Sequence, residues 1–255
     1  MSQAAMPVPP ENLRVWVGPF SDADLFVRSG DRMVNDIVAL CDLAADAQVL
    51  DVGCGCGRLA RALAGHLGPK GRYDGFDLAP ELIAWCKQHL EARLPNFRFS
   101  FVDVRSADRN PQGSVAATAF RFPADNNTFD LAILSSIFTH MLPEEIENYV
   151  AELARVLKPG GRCFVTVFLF DNEAESAVAT GSTIFDFRHP IGPCLTFDRH
   201  APEEGIACWK QWFLDLVERN GFRIDVLQLG NWRGVRSYEI SQDCVVARKS
   251  KPGGG

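Results

Sequence analysis

The sequence predicts an α/β fold with a mostly parallel sheet and helices on both of its faces. Apolar runs typical of strands alternate with helical patterns five times between residues 31 and 170, and this alternation indicates a parallel sheet. The first strand, 48–52, leads into a glycine-rich turn and then into a helical pattern. Such a turn lets the backbone approach a ligand, and the helix directs free N–H groups at it. We therefore expect a nucleotide-like ligand there.

Seven strands are predicted from short apolar runs bounded by turn residues. The second and third runs are each followed by an acid, Asp77 and Asp103. The predicted strands comprise residues 48–52, 72–76, 97–102, 129–134, 163–170, 222–229 and 243–249.

Five helices are predicted from apolar side chains that recur with the helical period. In the first, from about Asp31 to Leu43, apolar residues recur at i, i+3, i+4 and i+7. Pro80 suits a first helical turn, and the Lys158–Gly161 segment stops the fourth helix before the fifth strand. The predicted helices comprise residues 31–43, 59–67, 80–90, 143–157 and 206–220.

Composition narrows the functional classes. The net charge is −6 and there is no basic run, which argues against nucleic acid as a partner. No apolar run is long enough to cross a bilayer and no secretory signal is visible, so we expect no membrane association. The eight cysteines have no zinc-type spacing. We interpret them as reduced thiols in a cytoplasmic protein and expect no metal.

The spacing of the glycines separates two cofactor classes. Nicotinamide and flavin sites favour G-x-G-x-x-G, whereas Gly53, Gly55 and Gly57 recur at every second position. Arg58 stands where the third glycine of a dinucleotide site belongs. Asp51 precedes the first glycine, at a position that is normally apolar in dinucleotide sites. The loop therefore disfavours a dinucleotide.

The segment Asp51-x-Gly53-x-Gly55-x-Gly57 resembles motif I of class I S-adenosylmethionine-dependent methyltransferases. Four further segments resemble those of the same family, in the same order: 73–77, 101–104, 122–130 and 153–161. The resemblance covers residues 31–170 well and the last two strands more loosely. It implies a three-layer Rossmann-like methyltransferase fold, with a mostly parallel seven-stranded sheet and S-adenosylmethionine as the cofactor.

The resemblance also implies which residues bind the cofactor. The family's second-strand acid, here Asp77, holds both ribose hydroxyls, and its third-strand acid, here Asp103, faces the adenine amine. Asp51 is expected to order the loop toward the amino end of the cofactor. The alternatives are that Asp77 caps the helix before Pro80 and that Asp103 is a solvated strand end. The expected cofactor-binding residues are Asp51, Gly53, Cys54, Gly55, Gly57, Asp77, Leu78, Asp103, Val104 and Ser135.

The segment Ser135–Met141 follows the fourth strand and is expected to border the methyl group that is transferred. Methyl transfer requires an acceptor held in line with that group and shielded from water, and a hydroxyl acceptor benefits from a base. His140 is the candidate base, with a structural role at the start of the next helix as the alternative. His189 and His200 are interpreted as surface or substrate-shaping residues.

Two special types of methyltransferase are disfavoured. Asp171 and Asn172 follow the fifth strand, as in metal-dependent catechol-type enzymes. The second acid of such a site is replaced by Ser135 or Ser136, and one ligand pair makes a poor site for a hard cation. The Asn-Pro-Pro-Tyr motif of amino-methylating enzymes is absent after the fourth strand.

The chain is predicted to contain a single methyltransferase domain, residues 31–250. Residues 1–30 are expected to be an N-terminal tail and a possible lid over the cofactor, and 251–255 a disordered tail. The irregular stretch 171–204 is expected to be a substrate-cap insertion. Aromatic side chains and a few cations between Thr183 and Trp212 suit a moderately polar small molecule; packing of the loop onto the sheet is the alternative.

These observations predict a cytoplasmic methyltransferase that modifies a small or medium-sized acceptor, with oxygen favoured over nitrogen. The alternatives are an NAD(P)-dependent oxidoreductase and a catalytically silent protein that binds S-adenosylmethionine. The sequence does not predict an oligomeric state.

Overall fold

The computed structural model describes residues 6–107, 109–234 and 241–251. Its helices are α1 (Glu11–Arg14), α2 (Ala23–Cys41), α3 (Arg58–Leu63), α4 (Pro80–Cys86), α5 (Pro143–Val156), α6 (Asn172–Thr180) and α7 (Lys210–Arg219). Its strands are β1 (Gln48–Val52), β2 (Arg72–Asp77), β3 (Phe97–Phe101), β4 (Phe129–Leu134), β5 (Leu157–Phe170), β6 (His189–Ile191), β7 (Cys194–Thr196), β8 (Ile206–Trp209), β9 (Phe222–Gln228) and β10 (Asp243–Lys249). Short turns of 3₁₀ or π helix connect several of them.

The central sheet has the order β3-β2-β1-β4-β5, with every neighbouring pair parallel. Beyond β5, β10 pairs antiparallel with residues 162–167 and β9 pairs antiparallel with β10. These seven strands form the predicted mostly parallel sheet. The carboxyl ends of the five parallel strands meet at one edge, where a ligand site is expected.

Two apolar cores lie on opposite faces of this sheet. Successive strand residues point to opposite faces: Leu50 packs in the core with α5 and α7, whereas Val49 packs in the core with α2, α3 and α4. Ala132 and Ile133 of β4 divide in the same way. The prediction of helices on both faces is confirmed.

The sheet has ten strands rather than the predicted seven, because three further strands join it at the end of β5. Residues 168–170 of β5 pair in parallel with β8, and β7 and β6 continue antiparallel. The strand β5 therefore has three partners, β4 and β10 along its earlier residues and β8 along its last three residues. The extension covers the carboxyl end of β5.

The first long helix begins earlier than predicted. It starts at Ala23 instead of about Asp31, because the Asp22 side chain accepts a hydrogen bond from the backbone N–H of Leu25 at 2.6 Å and caps the helix. The buried Phe26 adds an apolar turn. The 30/31 boundary of the predicted tail thus falls inside α2.

The fifth strand also begins earlier, at Leu157 rather than at Cys163. The Lys158–Gly161 turn does end α5, as predicted, yet its backbone stays in the sheet. The register with β4 shifts between Phe129 and Leu131, which marks a bulge that accommodates the extra residues.

The stretch 171–204 is more regular than predicted. It contains α6, which Asp171 caps by accepting from the N–H of Ala174 at 3.1 Å, and the β6–β7 hairpin.

The predicted helix at 206–220 is wrong in its first four residues. Ile206–Trp209 form β8, because pairing with both β5 and β7 outweighs the local helical pattern.

The predicted tail 251–255 lies outside the described residues, apart from Lys251, and so do residues 1–5 of the predicted N-terminal tail. Among the residues that the structure describes, no helix combines the length and apolarity needed to cross a membrane.

Candidate functional site

The glycine loop turns back over the end of β2. The N–H groups of Gly53 and Cys54 both donate to the carbonyl of Phe76, at 2.9 and 3.0 Å. Gly53 and Gly55 have φ values of +74° and +55°, which residues other than glycine rarely adopt. The sequence therefore places glycine where this turn requires it.

The loop is also too crowded for side chains. A Cβ on Gly53 would lie 2.2 Å from Cδ1 of Ile137, in the segment after β4. A Cβ on Gly55 would lie 2.4 Å from Cγ1 of Val17, in the N-terminal segment. The bare backbone of the loop thus faces both the post-β4 segment and the N-terminal segment.

Asp77 joins the glycine loop to the start of α4. Its carboxylate accepts from the N–H of Gly55 at 2.8 Å and from the N–H of Ala79 at 2.9 Å. Burial raises the pKa of Asp77, and these bonds oppose the rise. Leu78 is half-buried beside it. Asp77 therefore orders the loop, but it is not the helix cap that was the alternative, because the N-cap of α4 is Ala79 and no side chain caps this helix.

Asp51 lies beneath the loop and not at its surface. It is 1% exposed, and its carboxylate accepts a 2.6 Å hydrogen bond from the Tyr73 hydroxyl on β2. Burial raises its pKa to about 6, although the bond from Tyr73 opposes the shift. The sequence did not indicate Tyr73 as the partner of Asp51. Tyr73 lies directly opposite Val49 in the neighbouring strand, and this register is seen only in the structure.

Cys54 and Gly57 complete the loop. Cys54 is buried, and burial raises the pKa of its thiol well above the ordinary value. Gly57 has a φ of +81° immediately before α3. Its N–H donates to the carbonyl of Cys54 at 3.0 Å, which closes the turn.

Asp103 is exposed after β3 and orders its own loop. It accepts from the Ser114 hydroxyl at 2.6 Å and from the Asn110 side-chain amide at 3.2 Å. These hydrogen bonds lower its pKa. Val104 is buried and bridges to Val115. The expected partners of an adenine ring are thus part of the 103–115 loop.

Arg58, the first residue of α3, reaches the end of β4. Its Nη2 donates to the Ser135 hydroxyl at 3.3 Å, and its guanidinium lies 5.3 Å from the ring centre of Phe20. Ser135 also contacts the sulfur of Met33 at 3.3 Å. Burial lowers the pKa of Arg58. The sequence predicted Ser135 as a site residue but missed Arg58 as its partner.

A polar group at the same edge involves the residue after Ser135. Ser136 has a φ of +60°, a strained conformation for a side-chain-bearing residue. Its N–H donates to the Thr166 hydroxyl at 2.8 Å, and its own hydroxyl bonds to Oε1 of Gln242 at 3.1 Å. Such strain is typical of functional loops, and the sequence held no signal for it beyond the position after β4.

His140 lies on the same segment but faces outward. It ends a 3₁₀ turn, it is exposed, and its Nδ1 is 2.9 Å from the carbonyl oxygen of Glu203. His189 is half-buried in β6, and the exposed His200 contacts Arg199. The structure therefore places His140 at the junction of the post-β4 segment and the 171–204 stretch.

The aromatic side chains of the 171–204 stretch pack mainly on one another and on the sheet. Phe187 is 1% exposed and packs edge-on against Trp232, with ring centres 5.7 Å apart. Phe185 lies 4.9 Å from Phe168 of β5. Trp209, at the end of β8, is less buried than these side chains: it is 38% exposed and packs beside Phe170.

A buried ion network beneath this stretch was missed by sequence reasoning. Asp243 is fully buried and pairs with Arg233, Nη1 to Oδ1, at 2.6 Å. The Nε of Arg233 lies 3.5 Å from Asp171, which Lys210 also approaches at 3.3 Å. In the described ranges no group of three or more His, Cys, Asp or Glu side chains is arranged to hold a metal ion.

Residues 49–161 match the family described as a methyltransferase domain. The matched stretch runs from β1 into β5 and contains the glycine loop, Asp77 and Asp103. Residues 49–161 are therefore a methyltransferase domain of the class I S-adenosylmethionine-dependent type. S-adenosylmethionine is accordingly the cofactor of this domain, and the nicotinamide alternative is not supported.

The relatives of this chain differ in the compounds that their names give, which include arsenite, 2-phytyl-1,4-naphthoquinone and a sterol. Arsenite methyltransferase of Aquipseudomonas alcaligenes is 28% identical over 187 residues, which cover 71% of this chain and 47% of that protein. The chain thus spans about half the length of that curated relative.

Solved structures share the fold at low identity. The 1,6-didemethyltoxoflavin-N1-methyltransferase of Burkholderia thailandensis, solved with its named substrate and S-adenosylhomocysteine, has a TM-score of 0.56 and 19% identity over 93% of this chain and 81% of that one. The [4+2]-cyclase SpnF has a TM-score of 0.58 and 19% identity over 87% of this chain and 82% of that one. The fold is therefore shared by proteins with different chemistry.

Proposed function

We propose that this protein transfers a methyl group from S-adenosylmethionine to a small-molecule acceptor at the carboxyl edge of the sheet. The carrying observation is the fit of the glycine loop and Asp77 to the cofactor. The loop has no Cβ atoms at Gly53 and Gly55, where Ile137 and Val17 pack directly against its backbone.

We propose that Asp77 accepts from the two ribose hydroxyls. A carboxylate has about four lone-pair sites; the N–H groups of Gly55 and Ala79 take one on each oxygen, and the N–H of Leu78 also acts on the carboxylate and lowers its pKa. Asp103 and Val104 would border the adenine, and Asp51 would act through the loop that it underlies. When bound, the cofactor supplies an electrophilic methyl group, which the protein holds in line with the acceptor.

We assign the base to His140, with oxygen favoured over nitrogen as the acceptor atom. The support is its position on the segment after β4, five residues beyond Ser135. His140→Ala is expected to lower turnover about 100-fold, a typical contribution of general base catalysis, with S-adenosylhomocysteine affinity unchanged. His200→Ala is the matched control, because it is an exposed histidine of the 171–204 stretch.

Turnover and affinity are measured separately, by a labelled-methyl assay and by calorimetry. Unchanged turnover in His140→Ala, or lost affinity, would remove the base assignment. Alkaline stability of the methylated product distinguishes a methyl ester from a methyl ether or an N-methyl group.

The acceptor is proposed to enter beneath the 171–204 stretch, with this stretch acting as a substrate cap and the N-terminal segment as a lid over the cofactor. We propose that Trp209, which is 38% exposed at the end of β8, and the polar Ser136 after β4 contact the acceptor, and both suit a moderately polar small molecule. We propose a cytoplasmic location with no nucleic-acid partner; the support is the eight free cysteines and the acidic charge.

The decisive experiment is calorimetry of the full chain with S-adenosylmethionine, S-adenosylhomocysteine and NADH, followed by labelled-methyl transfer to pools of small molecules. Binding of the first two ligands and labelling of an acceptor would support the proposal. Binding of NADH alone would overturn it.

The second candidate function is cofactor binding without methyl transfer, since the same fold also occurs in a protein named as a [4+2]-cyclase. Tight S-adenosylhomocysteine binding with no labelled product from any pool would select it.

A further inference from the structure

The 171–204 stretch and β8 bring two cysteines face to face. Cys194 on β7 and Cys208 on β8 are direct partners in the antiparallel register, and both are fully buried. Their sulfur atoms are 3.2 Å apart. The two thiols are therefore hydrogen-bonded to each other.

The ladder geometry favours this pair for a covalent bond. The N–H of Trp209 donates to the carbonyl of Pro193 at 3.1 Å, so the neighbouring pair 193 and 209 is hydrogen-bonded. Because such pairs alternate along an antiparallel ladder, Cys194 and Cys208 occupy a non-hydrogen-bonded position. Side chains at these positions are closest, with Cα atoms about 4.5 Å apart, which is within the range that disulfides span.

The other cysteines have different surroundings. The thiols of Cys54 and Cys86 both point to the carbonyl of Gly55, at 3.8 and 3.5 Å, and Cys163 points to the carbonyl of Ala247 at 3.6 Å. Among the described hydrogen bonds, only Cys194 and Cys208 join two sulfur atoms.

We propose that Cys194 and Cys208 are a redox site that forms a cross-strand disulfide when the protein meets a peroxide. One thiolate attacks a peroxide oxygen and releases water, which leaves a sulfenic acid; the second thiolate then attacks that sulfur and a second water leaves. Two thiols lose two protons and two electrons, and one hydrogen peroxide molecule takes them up to become two waters.

The bond would tie the β6–β7 hairpin to β8. Because β8 pairs directly with residues 168–170 of β5, the hairpin would be fixed against the end of the strand that borders the proposed acceptor site. The thiols remain free in the reduced structure, as a reducing compartment would keep them. The disulfide is therefore expected as an oxidised second state of the same fold.

Access limits the rate of this reaction. Burial raises the pKa of the Cys208 thiol well above its ordinary value, so thiolate is scarce at neutral pH and forms when the hairpin opens. The rate of cross-linking should rise nearly tenfold between pH 6.5 and 7.5 and level off above about pH 8.5, because a thiol in the opened hairpin ionises near the ordinary cysteine pKa of about 8.5.

The test treats the folded full chain with hydrogen peroxide or with a reductant, unfolds it, alkylates the free thiols and maps the peptides. We expect one cross-linked peptide pair, Cys194 with Cys208, a mass lower by about 2 Da, and alkylation of the other six cysteines. Limited proteolysis of the β6–β7 hairpin should be at least several-fold slower in the oxidised protein.

Matched variants identify the pair. Cys163→Ala removes another buried cysteine of the same apolar core and should still form the cross-link, whereas Cys194→Ala should abolish it. Cys208→Ala provides the same test if Cys194→Ala does not fold, as judged by circular dichroism. Alkylation of all eight thiols after peroxide, or a cross-link that survives in Cys194→Ala, would overturn the proposal.

Discussion

At the residue scale, Asp51 shows how one acid of the glycine loop is tied to the sheet below it. Its carboxylate is buried and accepts from Tyr73, 22 positions away in sequence and adjacent in space. The pKa of Asp51 rises to about 6 because burial penalises the charged form. Asp103, exposed and held by hydrogen bonds from Ser114 and Asn110, has its pKa lowered. The contributions of the two acids to folding stability therefore change with pH in opposite directions.

The raised pKa of Asp51 predicts a stability loss as pH increases from about 4 to about 6. In that window the native state holds a proton that the unfolded state has released, so the free energy of unfolding falls with rising pH. Asp51→Asn should remove this pH dependence. At pH 7 its free energy of unfolding should exceed that of the wild type by up to about 3 kcal/mol. Urea unfolding between pH 4 and 8, without cofactor, measures it.

Asp103→Asn is the control for this experiment. The stabilising contribution of Asp103 is present at neutral pH and is lost as pH falls through its lowered pKa, so its pH dependence has the opposite sign. An Asp51→Asn profile parallel to that of the wild type would contradict the assignment.

At the element scale, the glycine loop depends on the packing of two distant segments. Gly55 faces Val17 of the N-terminal segment, and Gly53 faces Ile137 after β4. Phe26 of α2 packs in a small cluster with Cys56, Ala79 and Leu82 at the same place. The loop is thus enclosed by α2, α4 and the post-β4 segment.

Gly55→Ala should cost more stability than Gly221→Ala. Both glycines have positive φ values, +55° and +84°, so both substitutions incur a backbone penalty of about 1 kcal/mol. At Gly221 nothing lies within 4 Å of the new Cβ, whereas at Gly55 it meets Val17 at 2.4 Å. We expect an additional 1–3 kcal/mol of overpacking at Gly55, roughly, from denaturant unfolding.

The double variant Val17→Ala/Gly55→Ala tests the cause. It should cost less than the sum of the two single substitutions, because the shortened side chain at position 17 makes room for the methyl group. Equal losses in Gly55→Ala and Gly221→Ala would show that the contact with Val17 contributes nothing.

At the scale of the whole molecule, one buried acid connects the sheet to the added strands. Asp243, at the start of β10, accepts from the N–H of Leu169 at 2.7 Å and from the indole of Trp232 at 2.9 Å, and it pairs with Arg233. Through Arg233 and Asp171 the network reaches the first turn of α6. The end of β5 is thereby joined to β10 and to the 171–204 stretch.

Asp243→Ala is expected to destabilise the protein by about 3–5 kcal/mol, because it leaves the buried Arg233 guanidinium without its partner. The double variant Arg233→Met/Asp243→Leu should lose less, since it removes both charges together. Urea unfolding at pH 7 compares the two. A double variant as unstable as Asp243→Ala would mean that the hydrogen bonds from the backbone and Trp232 dominate.

The sequence by itself determined the alternation of strands and helices, the glycine positions and the placement of Asp77 and Asp103 after their strands. These features are local, because periodicity reports which face of an element is apolar and positive φ values select glycine. Tertiary structure alone decided that β5 pairs with three strands, that Ile206–Trp209 form a strand, and that Tyr73 and Arg233 pair with Asp51 and Asp243. Such contacts join residues that are far apart in the chain, and their energies depend on burial and on register, which no local pattern contains.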